Sequence, residues 1–335
     1  MTPNSPSPST ATAVRRRLLV SSAGLLIALS GCTGSGTTDG ESASAGRVED
    51  AFGAVQITKA ERVVALSVSD ADAALASGVV PVAMAEAPVE PVMPWAQDAI
   101  DGLGGETPEL FEWTTEDTIP FEDIASWEPD MILATGSILS QDTYDQLTDI
   151  APTLTTAEEG AADSWKSQTE RVSKVIDQQE HGETSIEAAQ SAIDQAAESH
   201  AALEGKSFLV ALFRSPEEVG VLPDRDSATV RFFSELGLEL DPVADEMTAG
   251  KVPDTLSLEK LDVLDSDVIV GYFPDAGLRE KYEELSVFSA LPAVEDGRFY
   301  QPTDEEWRGL RSVSALALPE LAEPIAAKLE KSTKR

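Results

Sequence analysis

One long segment, residues 184–203, divides the chain into two halves and limits the folds available to it. Its apolar residues recur three or four positions apart, a spacing that predicts an amphipathic helix. Thr184 and Glu187 have the spacing of a capping box, and Gly205 follows the last turn, so we predict a single helix over 184–203. At about 1.5 Å per residue this helix would be about 30 Å long, the width of a small domain. We therefore expect a rod between two compact units.

The segments on either side of this helix repeat the same alternation of strand and helix. Apolar strands at 62–67 and 79–84 enclose a helical segment, and the pattern restarts with an apolar strand at 207–213. This order is typical of parallel sheets covered by helices. We predict an α/β fold with two Rossmann-like lobes joined by a single long backbone helix.

Two segments, 121–133 and 258–270, align without a gap and support the division into similar halves. Each has a glutamate after its first apolar residue, Glu122 and Glu259, and each runs into an apolar strand. Helix-then-strand modules look alike in many α/β proteins, but the shared acidic positions favour a real repeat. We expect the same helix-to-strand element in both lobes.

The N-terminus has the composition of an export signal. Arg15, Arg16 and Arg17 precede an apolar run at 18–29, which is too short for a permanent span of about 20 residues. The run ends in Leu-Ser-Gly before Cys32 and resembles a bacterial lipobox, in which the cysteine is diacylated and becomes the new N-terminus. The alternative is an ordinary cleavage site with a chance cysteine. The arginines leave both general and twin-arginine export open.

A polar, Gly- and Ser-rich stretch follows this cysteine and predicts a flexible tether. We therefore place the protein on the extracytoplasmic face of the cell membrane, anchored by lipid on Cys32. The predicted parts of the chain are a signal peptide at 1–31, the tether at 32–50, an N-terminal lobe at 51–162, connecting helices at 163–205 and a C-terminal lobe at 206–335.

The charge of the chain limits its partners. It contains 24 basic and 60 acidic residues, a formal net charge of −36. Such a surface favours a soluble monomer and argues against nucleic acid or an anionic membrane surface as a partner. The same acidity is compatible with a salty habitat.

The order of these parts, together with several short motifs, resembles one class of transport protein. The motifs lie at 62–66, 70–78, 128–134, 144–145, 150–152, 291–294 and 297–298. They resemble the helical-backbone class of substrate-binding proteins of ABC importers, and within it the iron-siderophore-binding lipoproteins related to ferrichrome- and vitamin B12-binding proteins. The last helix departs from the pattern at 315–320, where relatives more often have Ser before Leu-Pro and an aromatic residue after it.

The resemblance implies a receptor that captures a ferric siderophore and delivers it to an ABC permease with its cytoplasmic ATPase. It implies no catalysis, no cofactor and no metal of the protein's own. It also implies that Glu122 and Glu259 dock into arginines of the permease. The alternative for both glutamates is a favourable interaction of an acid with the dipole of a helix start.

Ligands of open α/β sheets bind beyond the carboxyl ends of the strands, which would here face each other across a cleft. A bulky and often anionic ferric siderophore needs arginines and aromatic faces. Arg214 is the leading candidate because it directly follows an apolar strand, although pairing with Glu217 or Glu218 would explain it equally well. The candidates in these loops are Trp95, Arg214, Arg225, Tyr272, Trp307, Arg308 and Arg311. For Trp95, on a long loop, and for Trp307 the alternative is packing.

Other functions receive less support from the residues. A zinc or manganese site needs several His, Cys or clustered carboxylates, whereas the two histidines, His181 and His200, belong to the connecting segment. Haem, with Tyr272 as an axial ligand, and cobalamin stay open as ligands of the same fold. A secreted hydrolase would need a nucleophile motif that the chain lacks. A structural or adhesive lipoprotein would not need the repeated glutamates.

Overall fold

The structure is a computed structural model that describes residues 46–87 and 91–333. The predicted signal peptide, Cys32 and most of the predicted tether lie outside the described residues. Within the described ranges, no helix combines the length and the apolar character that crossing a membrane requires.

Strands and helices alternate through the described part of the chain. The strands are β1 Arg47–Asp50, β2 Gly53–Gln56, β3 Val63–Ala65, β4 Ala83–Ala85, β5 Glu109–Phe111, β6 Met131–Ala134, β7 Thr153–Thr155, β8 Ser207–Phe213, β9 Glu218–Val221, β10 Glu239–Leu240, β11 Thr255–Ser257, β12 Val268–Tyr272 and β13 Phe299–Tyr300. The α-helices are α1 Val68–Ala76, α2 Pro94–Leu103, α3 Phe121–Ser126, α4 Gln141–Thr148, α5 Trp165–Val175, α6 Gln179–Ser199, α7 Ala228–Glu235, α8 Val243–Thr248, α9 Ala276–Glu283, α10 Ser286–Ser289, α11 Pro292–Glu295, α12 Asp304–Arg311 and α13 Leu318–Thr333. Short 3-10 helices lie at Glu116–Thr118, Ala201–Leu203 and Leu258–Val263.

The N-terminal lobe contains a five-stranded parallel sheet in the order β5-β4-β3-β6-β7. Every residue of β3 and β6 is buried, which explains why both strands read as apolar runs in the sequence. The chain winds outward from β3 in one direction and then returns to add β6 on the other side. The point of reversal, between β3 and β6, is where doubly wound sheets open a crevice for ligands.

The C-terminal lobe has a mixed sheet built around β8. Strand β12 lies parallel to β8 on one side, with β13 beyond it, and β10 lies parallel to the start of β8 on the other side. Strands β9 and β11 are antiparallel additions that the sequence did not predict. The reversal of winding between β8 and β12 repeats the arrangement of the first lobe.

Helix α6 is the predicted rod, but it begins earlier than residue 184. It spans 21 residues from Gln179. The capping box predicted for Thr184 and Glu187 is wrong, because Thr184 lies inside the helix and its hydroxyl donates to the carbonyl of Glu180 at 2.8 Å. At the other end, α6 stops at Ser199 rather than at residue 203, and the 3-10 helix Ala201–Leu203 follows it. Gly205 comes after this second helix and has the expected left-handed backbone, with φ of 71°. The buried stripe of the helix faces α5 and α13.

Several other boundaries differ from the prediction. Arg47–Asp50 pairs with β2, so the last residues of the predicted tether belong to the fold. The loop expected around Trp95 is helix α2, which begins at Pro94 because proline suits the first position of a helix. The last helix begins at Leu318 rather than at residue 315. The repeated segments lead into β6 and β12, which lie beside β3 and β8, the first strands of the main sheets of the two lobes.

A continuous hydrophobic core joins the two lobes below the cleft. Trp95 and Ile100 of the N-terminal lobe belong to the same buried cluster as Phe208, Phe233 and Leu310 of the C-terminal lobe. The lobes are therefore connected by shared packing as well as by α6. This connection opposes large changes in their separation.

Candidate ligand-binding site

A cleft of about 360 Å³ lies between the two lobes. This volume falls in the range of roughly 300–1,000 Å³ that is typical of small-molecule sites. Both lobes contribute to its wall, which is lined by Val68, Ala87, Met93, Trp95, Tyr272, Trp307, Arg308, Arg311 and Ser312. The first four belong to the N-terminal lobe and are apolar, whereas the C-terminal lobe supplies the arginines.

The ends of the parallel strands position much of this wall. Val68 begins α1 shortly after β3, Ala87 follows β4, and Tyr272 is the last residue of β12. The cleft thus lies at the carboxyl ends of the strands, as the sequence predicted. Five predicted residues meet there, namely Trp95, Tyr272, Trp307, Arg308 and Arg311.

Two aromatic rings are stacked on the C-terminal side of the cleft. Tyr272 and Trp307 are stacked, with ring centroids 4.6 Å apart and an interplanar angle of 13°. Burial, followed by the charge of Asp304, raises the pKa of Tyr272, against the opposite effect of Arg308 and Arg311. The phenol therefore stays protonated at neutral pH and is available as a hydrogen-bond donor.

Helix α12 carries three of the lining residues and is fixed at its first turn by a capping box. The Thr303 hydroxyl accepts a hydrogen bond from the backbone N–H of Glu306, whose carboxylate accepts one from the backbone N–H of Thr303. The same carboxylate accepts hydrogen bonds from Tyr300 Oη at 3.1 Å and from Lys328 Nζ at 2.6 Å. Burial alone would raise the pKa of Glu306, but the hydrogen bonds from Lys328 and Thr303 outweigh it and hold that pKa below its ordinary value. The carboxylate stays charged and anchors the helix.

Trp95 forms the opposite wall and also contacts the C-terminal lobe. Its side chain is only 2% exposed, and its indole Nε1 donates to Asp72 Oδ2 at 2.9 Å. A Cβ atom at Gly309 on α12 would lie 3.1 Å from Trp95 Cη2, so the absence of a side chain there permits the close approach. Both roles considered for Trp95, packing and lining the cleft, are present in the structure.

The charge of the cleft differs from that of the molecule as a whole. Arg308 is half-buried and Arg311 is exposed, and both line the cleft of a chain whose formal net charge is −36. Guanidinium groups form forked hydrogen bonds with carboxylates and stack on aromatic faces. This side of the cleft is therefore suited to a flat, anionic part of a ligand. The N-terminal wall is suited to an apolar part of the same ligand.

Two predicted arginines are not among the lining residues. Arg214 follows β8 and is exposed, and a Cβ atom at Gly220 on β9 would lie 3.0 Å from its guanidinium carbon. Arg225 forms a two-pronged ion pair with Asp245, with both N–O distances 3.0 Å. The hydrogen bond to Asp245 raises the pKa of Arg225. Arg214 thus lies against β9, and Arg225, in the loop after β9, pairs with Asp245.

Four lining residues, Val68, Ala87, Met93 and Ser312, were not predicted from the sequence. Val68 and Ala87 closely follow apolar strands, so the strand-end rule applied to apolar residues would have found them. Within residues 46–87 and 91–333, no three or more His, Cys, Asp or Glu side chains are grouped so that they could hold a metal ion.

Residues 63–305 match the family described as periplasmic binding protein, a range that includes the main sheet of each lobe, the rod and five of the nine lining residues of the cleft. The chain belongs to this family. The family comprises extracytoplasmic proteins that bind solutes and are not enzymes. The resemblance predicted from the sequence is thus confirmed at the level of the family. A comparison with curated protein sequences finds no significant match.

Solved structures with the same fold confirm the two-lobed α/β architecture. PiaA from Streptococcus pneumoniae, in complex with ferrichrome, is 23% identical, with a TM-score of 0.73 over 86% of this chain and 98% of that one. A periplasmic solute binding protein from Mycobacterium smegmatis is 26% identical, with a TM-score of 0.74 over 86% of this chain and 98% of that one. SirA from Staphylococcus aureus, complexed with staphyloferrin B, is 20% identical, with a TM-score of 0.65 over 86% of this chain and 98% of that one.

Proposed function

We propose that the protein is a receptor that captures a ferric siderophore outside the cytoplasm and delivers it to an ABC importer. The observation that carries the proposal is the cleft between the lobes, in which the stacked rings of Tyr272 and Trp307 lie beside Arg308 and Arg311. Two proteins of similar fold, PiaA and SirA, hold ferrichrome and staphyloferrin B in their structures. The receptor acts by binding and release, without catalysis and without a cofactor.

The chemistry of a ferric siderophore matches the two different walls of the cleft. Chelating groups around the iron present flat faces and, in many siderophores, negative charge. The aromatic pair offers a flat packing surface, and the arginines offer forked donors to anionic oxygens. The apolar wall formed by Val68, Ala87, Met93 and Trp95 suits the organic backbone of the ligand.

The proposal includes attachment to the membrane through lipid on Cys32. The lipobox before this cysteine supports it, since Cys32 is the only cysteine in the chain. The tether after Cys32 would leave a monomeric receptor free to reach its permease.

The proposal also assigns permease docking to Glu122 and Glu259. Both side chains are exposed, and each lies in the first turn of a helix that leads into an inner strand, β6 or β12. A helix that leads into a parallel strand begins near the edge where the strands end. Both glutamates therefore belong to the edge of the sheets that also bears the cleft, one on each lobe.

The function is tested by tryptophan fluorescence on the chain from residue 33. Ferrichrome, ferric staphyloferrin B, haem and cobalamin are titrated separately into the protein. We expect saturable quenching by a ferric siderophore, because Trp95 and Trp307 line the cleft. Arg311→Ala should weaken binding about tenfold to a hundredfold, the usual effect of losing a hydrogen bond to a charged group. Arg214→Ala should weaken binding less than Arg311→Ala does, since Arg214 is not among the residues that line the cleft.

A matched control is Arg279→Ala on α9, which removes the same charge from an exposed ion pair with Glu283 on the same lobe. This variant should bind like the wild type. Saturable binding of haem or cobalamin in place of the siderophores would contradict the proposed ligand. Absence of binding across the whole panel would contradict the proposed function.

A further inference from the structure

A buried carboxylate below the cleft connects its two walls. Asp72, on α1, is 0% exposed, and its Oδ2 accepts hydrogen bonds from Trp95 Nε1 at 2.9 Å and from Ser314 Oγ at 2.7 Å. Trp95 belongs to the N-terminal wall. Ser314 belongs to the C-terminal lobe and closely follows Arg311 and Ser312, which line the other wall.

Ser314 is itself fixed in place, so its hydrogen bond to Asp72 fixes the segment around it. Its hydroxyl also accepts a hydrogen bond from the backbone N–H of Ala317, just before α13. We call the two hydrogen bonds from Trp95 and Ser314 to Asp72 the Asp72 bridge. On the other side of this bridge, Trp95 packs against Gly309 on α12. The carboxylate therefore joins α1, α2 and the end of α12 at one point.

We propose that Asp72 is a positioning residue that sets the separation of the two cleft walls, and that its ionisation controls the affinity for the ligand. The part that concerns ligand affinity rests on the proposed function. The part that concerns the walls does not, since both hydrogen bonds to Asp72 come from side chains of the protein itself.

The ionised form of Asp72 is the one that makes the bridge strong. A carboxylate accepts charge-assisted hydrogen bonds, which are about twice as strong as those between neutral groups. Burial raises the pKa of Asp72 to about 6, although the hydrogen bonds from Ser314 and Trp95 act in the opposite direction. Within the described part of the chain, Oδ1 has no hydrogen-bond partner. Protonation therefore weakens the bonds to both walls, and we expect the affinity for the ligand to fall as the pH drops through about 6.

The neighbouring charged groups leave Asp72 as the group that controls the bridge. Its two hydrogen bonds come from an indole and a hydroxyl, neither of which titrates near pH 6. Asp70, on the same helix, bonds instead to Thr135 and Gly136 in its own lobe. The other ionisable side chains on the surrounding helices are Asp98 and Asp101 on α2, Asp304, Glu305, Glu306, Arg308 and Arg311 on α12, and Glu320, Glu323, Lys328, Glu330 and Lys331 on α13. Helices α5 and α6 also pack against α1 and carry Lys166, Glu170, Arg171, Lys174, Glu180, His181, Glu183, Glu187, Asp194 and Glu198.

The first test follows the indole N–H of Trp95 by NMR in the ligand-free protein labelled with ¹⁵N in tryptophan. Trp95→Phe identifies the resonance by its loss. We expect this resonance to shift between pH 5 and pH 7.5 with a midpoint near 6, and the shift to be absent in Asp72→Asn. In Ser314→Ala the midpoint should move to higher pH, because the hydrogen bond from Ser314 lowers the pKa of Asp72.

The second test measures the affinity for ferrichrome and ferric staphyloferrin B at pH 5 and pH 7.5. Each variant is compared with the wild type at the same pH, so that titration of the ligand cancels. Asp72→Asn, which imitates the protonated form, should bind about three- to tenfold more weakly than the wild type at pH 7.5, the effect of weakening one or two hydrogen bonds. The difference should disappear at pH 5. Asp70→Asn is the matched control, a buried carboxyl on the same helix whose loss should leave the pH dependence intact.

The outcomes separate this proposal from the proposed function. A Trp95 resonance that does not titrate, or an affinity of Asp72→Asn that follows the wild type at both pH values, overturns the proposal. If neither siderophore binds, the proposed function is wrong, and the NMR titration alone decides the role of Asp72. If Asp72→Asn does not fold, Ser314→Ala decides it, and an unchanged midpoint in that variant overturns the proposal.

Discussion

Two buried carboxylates on one short helix, Asp70 and Asp72, have different roles because their partners differ. Asp70 Oδ1 accepts hydrogen bonds from the backbone N–H of Thr135 at 2.8 Å and from the Thr135 hydroxyl at 2.6 Å. It thereby joins the ends of β3 and β6 within one lobe. Asp72 joins the two lobes. Burial raises the pKa of both carboxyl groups, so their ionised forms reduce the stability of the fold. Their hydrogen bonds nevertheless hold the partner residues in fixed positions.

His200 gives the protein a second pH dependence, which concerns stability. Its ring nitrogens contact Glu330 at 2.9 Å and Glu323 at 3.0 Å, and hydrogen bonds with these glutamates raise its pKa. Because the folded-state pKa is the higher one, the stabilisation is complete below about pH 6.5, the ordinary value, and is lost as the pH rises through the folded value. We expect His200→Gln to be less stable than the wild type by about 0.5–1 kcal/mol at pH 5.5.

Urea unfolding at pH 5.5 and pH 9 measures this effect. The difference in free energy of unfolding between the two proteins should be smaller at pH 9, because deprotonation of His200 removes the stabilisation. His181→Gln, which changes the other histidine of the chain, is the control. A difference between wild type and His200→Gln that is equal at both pH values would refute the electrostatic explanation.

The rod shows which features of an element depend on its neighbours. Its apolar stripe predicted a helix correctly, because periodicity depends on the burial of one face. Its start was predicted wrongly, since Asp177, with φ of 58°, ends the preceding segment and turns the chain directly into α6. Thr184 then has a helical carbonyl within reach of its hydroxyl and does not act as a cap. Whether a capping sequence acts as a cap therefore depends on where the chain enters the helix.

Gly182 provides a prediction about the contact of α5 with α6. A Cβ atom at this position would overlap the side chain of Ser173 on α5. We expect Gly182→Ala to destabilise the protein by about 1–3 kcal/mol through overpacking, although alanine is the better helix former. Thermal and urea unfolding measure the change.

The matched control for this prediction is Gly102→Ala in α2, another helical glycine, where a Cβ atom would meet nothing within 4 Å. It should be neutral or stabilising by up to about 1 kcal/mol. Equal effects of the two substitutions would show that helix propensity, and not the contact between α5 and α6, decides the outcome.

At the scale of the whole molecule, the rod and the shared core limit how the lobes can move. Trp95 and Asp72 connect the lobes directly, in addition to α6. We therefore expect a small tilt of the lobes on ligand binding rather than a wide hinge closure.

The proposed docking glutamates are tested by replacing both. Glu122→Ala with Glu259→Ala should abolish siderophore uptake by cells and leave the affinity for the ligand unchanged, because neither residue lines the cleft. Uptake of iron-labelled siderophore and fluorescence titration provide the two measurements.

A control variant, Glu106→Ala with Glu239→Ala, removes the same charge from the opposite edge of the sheets. Glu106 precedes β5 and Glu239 begins β10, and both side chains are exposed. The control should support normal uptake. Uptake that survives loss of Glu122 and Glu259 would disprove the docking assignment.

The sequence by itself determined the fold class, the rod and the inner strands, because buried parallel strands and amphipathic helices leave periodic apolar patterns. It also identified five of the lining residues, although four of them lie on helices α2 and α12 rather than in the predicted loops. Tertiary structure alone decided that Arg225 pairs with Asp245 and that Arg214 lies over β9. It alone brought Asp72 to Ser314 across 242 positions of the chain. Such contacts depend on how the two sheets pack against each other, and local periodicity does not record that packing.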